Sequence, residues 1–366
     1  MLDLGLFTVP LMTAGVVFLV ALFTGDNIAI DNIRVLSSLD SGSHTELVLT
    51  RSLTDELREL NEAAQAEAPE ITATGTSTDK SLYEFQEYLN LTTLVSSARN
   101  LLGVTPYYVS SDVTILGGVA VFTGRIYTRD KDEPVKEIRL KGTPDNLVPL
   151  LHEAALQIMT KIDPFVVALY YYREELAKNE FGFTKTRELI GSSLANSPRW
   201  KSYLAYDLIG RMHLTKAKLA TTLTDEQRQA ELGMAIDYLK AALVQAPGFF
   251  VANRDLASAY ADRHEYDLAD RYFAKAVTID PNDLITRERW AEMLSEQGRV
   301  RPAIFQYVAA VELAPESADF RNKLAELYLK VNRPDAARIQ WQQAHKIDPL
   351  HKEFTERLRS LAPAAP

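Results

Sequence analysis

Four segments pass through a proline at a fixed interval. YLKAALVQAPG carries Pro247, RYFAKAVTIDPND carries Pro281, YVAAVELAPES carries Pro315 and WQQAHKIDPLH carries Pro349, so consecutive prolines stand 34 residues apart. A period of this length constrains the fold more than any local preference. A unit of that size cannot bury its own apolar face and must stack on its neighbours.

Taking Pro281 as position 32 starts a unit at Phe250. Positions 7, 8, 11, 20, 24 and 27 are then Leu256, Ala257, Tyr260, Ala269, Phe273 and Ala276. The next unit has Trp290, Ala291, Leu294, Ala303, Tyr307 and Ala310 there, and the third has Leu324, Ala325, Tyr328, Ala337, Trp341 and Ala344. This alternation of small and bulky residues resembles the tetratricopeptide repeat. The resemblance implies two antiparallel helices per unit. Small side chains allow close approach where the helices cross, bulky ones fill the space towards the neighbouring unit, and the proline stops the second helix.

The period loosens towards the N-terminus. Pro198 precedes Pro247 by 49 residues, 15 more than one period. The sequence predicts a longer hairpin here, with helices at 200–219 and 233–245 and an extended connection at 220–231. Residues 164–198 have the length of another hairpin without the signature residues. Segment 164–249 is thus expected to form degenerate repeat-like hairpins, 250–349 three regular repeats and 350–361 a capping helix.

Residues 4–25 contain no charge over 22 positions. As a helix rising about 1.5 Å per residue they reach roughly 33 Å, enough to span a hydrocarbon core of about 30 Å. The stretch is long, lacks a preceding basic region and offers no evident cleavage site, which favours a retained single-pass anchor. The expected location is the inner membrane, with the soluble body on the periplasmic side.

Segment 28–163 mixes periodicities. Residues 28–39 alternate like a strand, and 45–66 place Leu49, Leu53, Leu57 and Leu60 on one helical face. Residues 82–103 read as a strand leading into a helix. Residues 107–130 read as a hairpin turning at Gly117–Gly118, 135–142 as a strand and 147–162 as a helix. The whole chain is therefore expected to be mainly α. A C-terminal tetratricopeptide α-solenoid follows a small α+β domain with a mainly antiparallel sheet and an N-terminal transmembrane helix. LNLTTLVSSARNLLG followed by a strand hairpin resembles the α/β module of membrane-anchored bacterial tetratricopeptide-repeat proteins.

Nothing in the sequence assembles a catalytic, metal or cofactor motif. The histidines at 44, 152, 213, 264, 345 and 351 fit no metal-ligand spacing, and the absence of cysteine removes thiol chemistry. A net charge of −9 disfavours nucleic-acid binding. The reading is a non-enzymatic adaptor, a membrane-anchored scaffold for protein–protein interaction within a bacterial envelope complex. The alternative is an α+β module that binds a small ligand or glycan, displayed on a repeat support. In tetratricopeptide arrays the resemblance places partner contacts on the first helix of each unit, notably at positions 5 and 9. Here those are Arg254 and Ser258, Glu288 and Glu292, and Asn322 and Glu326. Glutamates at these places disfavour a clamp for a terminal carboxylate. They point to a peptide or helix of basic or neutral polar character.

Overall fold

The computed structural model of the chain describes residues 28–30, 33–35, 46–67, 107–128, 134–196 and 202–361. It divides into two compact units, Met1–Arg199 and Trp200–Pro366. The apolar segment 4–25 and the expected elements at 82–103 lie outside the described residues. Among the described residues, no helix is long and apolar enough to cross a membrane.

The first unit is organised by a hairpin. Strands β3 (Tyr107–Leu116) and β4 (Val119–Thr128) pair antiparallel with Val113 opposite Phe122. Gly117 and Gly118 turn the chain at φ 56° and 77°, the positive values that a tight two-residue hairpin turn requires. β5 (Lys136–Gly142) adds antiparallel to β4. Two short segments, β1 (Ile28–Ile30) and β2 (Arg34–Val35), add parallel to the other side of β3. Alternation puts Val109, Val113, Phe122, Ile126 and Ile138 on one buried face. Helix α2 (Val148–Ile162) covers that face, and Leu150 packs against Gly142.

Helix α1 (Glu46–Glu67) buries Leu49, Leu53, Leu57 and Leu60, as its periodicity requires. It packs on α2 and on α3 (Pro164–Ala177), which belongs to this unit together with α4 (Thr184–Asn196). A polar chain ties the three helices. His152 Nδ1 lies 2.6 Å from Glu56 Oε2, and its Nε2 lies 3.1 Å from the Tyr170 hydroxyl. Burial pushes the Tyr170 phenol above its ordinary value, with Glu174 adding to the rise. Tyr172 is buried and stacks on Phe183, so the Tyr170–Tyr172 run is used in helix packing.

The second unit opens with a long hairpin, α5 (Ser202–Leu219) and α6 (Asp225–Gln245). The extended connection expected at 220–231 is not there, because α6 already starts at Asp225. The Thr224 hydroxyl accepts from the Gln227 N–H at 3.2 Å, and the Gln227 side chain accepts from the Thr224 N–H at 2.9 Å. This capping box starts the helix early. Most of the surplus residues lengthen the helices, α5 to 18 and α6 to 21 residues, rather than the loop. Its helices cross at Gly210, where a Cβ would stand 2.6 Å from Leu239 Cγ.

Three regular hairpins follow. They are α7 (Phe250–Asp262) with α8 (Tyr266–Ile279), α9 (Leu284–Glu296) with α10 (Val300–Leu313), and α11 (Ala318–Lys330) with α12 (Pro334–Ile347). The alanines at positions 8, 20 and 27 of all three have 0% exposure, so each hairpin closes at its smallest side chains. Leu256, Phe273, Leu294, Tyr307, Leu324 and Trp341 are buried beside them. Each turn between paired helices holds one residue with positive φ at position 15: His264 at 61°, Gly298 at 73° and Asn332 at 55°. Helix α13 (Lys352–Ser360) starts a fourth period and inserts Phe354 among Ala325, Ala337, Trp341 and Ala344. At its position 8 stands exposed Arg359 instead of a buried alanine, so that face of α13 stays open to solvent.

Candidate functional site on the first helices of the repeats

The first helices of the second and third repeats are started by side-chain N-caps at the same place. Asp283 accepts from the Thr286 N–H at 2.9 Å, and Ser317 accepts from the Phe320 N–H at 3.3 Å. Helix α7 touches both α5 and α9, so successive first helices lie side by side and present one surface.

The six sequence-predicted residues stand on these first helices, Arg254 and Ser258 buried and the other four not, and each is already engaged. Arg254 is buried and donates to Asp255 at 3.1 Å and to Asp283 at 3.4 Å. The buried Ser258 hydroxyl donates to the Arg254 carbonyl at 3.2 Å and accepts from Arg289 at 3.3 Å. Lys323 reaches Glu288 at 3.1 Å and Glu292 at 2.5 Å. Asn322 Oδ1 accepts from Trp341 Nε1 at 2.6 Å, and Glu326 pairs with Arg357 at 3.1 Å.

These contacts form a ladder between repeats. Position 9 of one unit meets position 6 of the next at Ser258–Arg289, Glu292–Lys323 and Glu326–Arg357. The long hairpin joins in with reversed sign, since Arg211 lies 3.5 Å from Asp255. The cations at 289, 323 and 357 recur every 34 residues, a signal in the repeat that lies outside positions 5 and 9. Their presence gives the surface both signs of charge rather than an acidic strip.

The ladder has one buried end. Asp255 is 2% exposed and faces Arg254, Arg211 and Arg289, the last at 2.7 Å. Burial alone would raise its pKa, but the surrounding guanidiniums dominate and hold the carboxyl well below its ordinary range. Lys323 shows the converse balance. Burial opposes its charge, while Glu292, Tyr307 and Glu288 together raise its ammonium above the usual value.

A second recurring set fixes the first helices themselves. Arg287 donates to the Pro281 carbonyl at 3.0 and 2.7 Å and to Gln306 at 3.2 Å. Arg321 repeats this on the Pro315 carbonyl at 3.0 and 2.8 Å and on Gln340 at 3.2 Å. Asn253 holds the equivalent position and reaches the Phe249 carbonyl at 2.8 Å. Position 4 therefore locks the helix to the loop before it, a role absent from the small-and-bulky pattern.

A two-helix unit stacked at a fixed interval defines an α-solenoid. Residues 255–283 match the family model described as tetratricopeptide repeat, so the chain carries a tetratricopeptide repeat there. Similar solved structures include MamA (MSR-1), at 16% identity and TM-score 0.35 over 50% of this chain and 97% of that one. TTC0263, a thermophilic TPR protein in Thermus thermophilus, has 20% identity and TM-score 0.38 over 54% and 96%. YrrB, a TPR protein with an unusual peptide-binding site, has 19% identity and TM-score 0.37 over 54% and 90%. No curated protein matches the sequence.

Proposed function

We propose that the array is a protein-binding scaffold that takes a polypeptide segment along its first helices. The observation that carries this reading is the ladder of half-exposed charged side chains repeated across α9, α11 and α13. Spread over several repeats, such a surface suits an extended or helical segment better than a small molecule. Because each glutamate faces a cation, the partner segment carries both signs of charge, and its charged groups replace the internal pairs on docking.

The uncharged run at 4–25 supports an anchored form of this scaffold, tethered to the inner membrane with its body in the periplasm and serving as a subunit of an envelope complex. Reporter fusions at the C-terminus test the orientation. The scaffold itself is tested by cross-linked co-purification of the full chain from its own cells in mild detergent. The parent should recover a reproducible set of proteins, and Glu292→Lys should lose part of that set while keeping the parent's helical spectrum. Recovery of the chain alone, or of an unchanged set with the variant, rejects the reading.

A further inference from the structure

Positions 18, 22, 25 and 29 of a repeat lie on one stripe of its second helix, because they are spaced i, i+4, i+7 and i+11. In α10 the stripe is Arg301, Phe305, Val308 and Glu312, and in α12 it is Asp335, Ile339, Gln342 and Lys346. All are exposed except the half-buried Val308. Phe305 at 68% and Ile339 at 54% are large apolar side chains left in water at the same position of consecutive repeats. The charges beside them are inverted between the two helices: Arg301 against Asp335 at position 18, and Glu312 against Lys346 at position 29. The first repeat carries Asp267, Arg271, Ala274 and Thr278 on this stripe and does not continue the apolar row.

We propose that this two-helix face is a self-association surface whose partner is a second copy of the chain. As second helices of successive repeats, α10 and α12 run in the same direction. A twofold axis parallel to them lays α10 of one copy on α12 of the other in matching register. Arg301 then faces Asp335, Phe305 faces Ile339, Val308 faces Gln342 and Glu312 faces Lys346, and the symmetry makes every contact twice. Both charged rows are complementary in this arrangement, whereas α10 laid parallel on α10 would oppose like charges in them. Within one copy Asp335 pairs with Arg338, at 3.3 Å, with 89% of the aspartate side chain exposed. That contact is weak and gives way. Leu313 and Ile347, at 39% and 40% exposure, flank the lower end of the patch. Two helices form a small interface, so the dimer is weak and depends on concentration.

Sedimentation velocity on the full chain in mild detergent, across a wide range of concentration, tests this. The parent should pass from monomer to dimer as concentration rises. Phe305→Asp should remain monomeric. Arg301→Asp alone and Asp335→Arg alone each oppose like charges twice and should weaken the dimer at least about tenfold. The double reversal re-forms both pairs and should recover most of the parental affinity. These positions are exposed, and circular dichroism melts matching the parent will show the variants folded. A parent that stays monomeric throughout overturns the proposal. So does a dimer indifferent to Phe305→Asp, or a double variant no tighter than the singles.

Discussion

Arg289, at position 6 of the second repeat, donates at 2.7 Å to Asp255, at position 6 of the first. The acceptor is buried while 37% of the donor side chain is exposed. One residue thus links packing to the surface, since the half-exposed Arg289 guanidinium also reaches the buried Ser258 hydroxyl. Successive repeats are joined at this point by charge as well as by apolar contact. Their relative angle, and with it the spacing of the surface side chains, depends on an electrostatic joint inside the stack.

Replacing Asp255 by Asn should therefore be among the costliest single changes in the second unit. Removing one partner of a buried ion pair costs about 3–5 kcal/mol, because the remaining charge loses its compensation. The carboxyl is held below its ordinary value, so its stabilisation is complete above the unfolded-chain pKa of 3.8 and is lost as pH falls below that. The gap in urea midpoint between parent and Asp255→Asn should stay constant from neutral pH to about pH 5 and narrow on further acidification. A gap that widened in acid would contradict the assignment.

The array was legible because stacking repeats demand the same side chains at the same places, so small residues at 8, 20 and 27 and prolines at 32 announce themselves. The hairpin turn at Gly117–Gly118 was legible for a similar local reason. What escaped the sequence was polar. Thr224 and Gln227 read as loop residues until their reciprocal hydrogen bonds are seen, so the start of α6 fell inside an expected connection. Glu56, His152 and Tyr170 are far apart in the chain and meet only through the packing of α1, α2 and α3. The candidate site was half legible. Positions 5 and 9 lie on the first helices, as expected, but their charge was read without the position 6 partner that the neighbouring repeat brings to position 9.

Two glycines of the long hairpin should respond in opposite directions. A Cβ at Gly210 would meet Leu239 Cγ at 2.6 Å and the Ala235 carbonyl at 3.2 Å. Gly210→Ala should overpack the crossing and cost about 1–3 kcal/mol. Gly233 lies within α6 with nothing inside 4 Å of its would-be Cβ, so Gly233→Ala should gain up to about 1 kcal/mol of helix propensity. Thermal melts of the two variants separate the effects; a common sign would refute the crossing geometry.

Ala269 and Phe273 test the stack itself. Both are buried, at 0% and 1% exposure, on α8. Ala269→Leu should force the helices of the first repeat apart at a cost of about 1–3 kcal/mol. Phe273→Ala should open a cavity against Trp290, whose ring lies 6.2 Å away centroid to centroid, and cost about 3–5 kcal/mol. Melting curves indistinguishable from the parent would mean the repeats are not stacked as described.

The ladder rung between Lys323 and Glu292 should behave quite differently from the Asp255 joint. The lysine side chain is 36% exposed and the glutamate 47%, so water and salt screen the pair. A double-mutant cycle with Lys323→Ala and Glu292→Ala should give a coupling of only about 0.2–1 kcal/mol, declining as salt is raised from about 0.1 to about 1 M. Lys323 also serves Glu288, at 3.1 Å. Lys323→Ala alone should therefore cost more than Glu292→Ala alone, since it leaves two carboxylates 31 and 35 residues away without their cation. A coupling of several kcal/mol that ignored salt would place this rung in the core. Its charges would then be unavailable to the partner segment that the surface is proposed to hold.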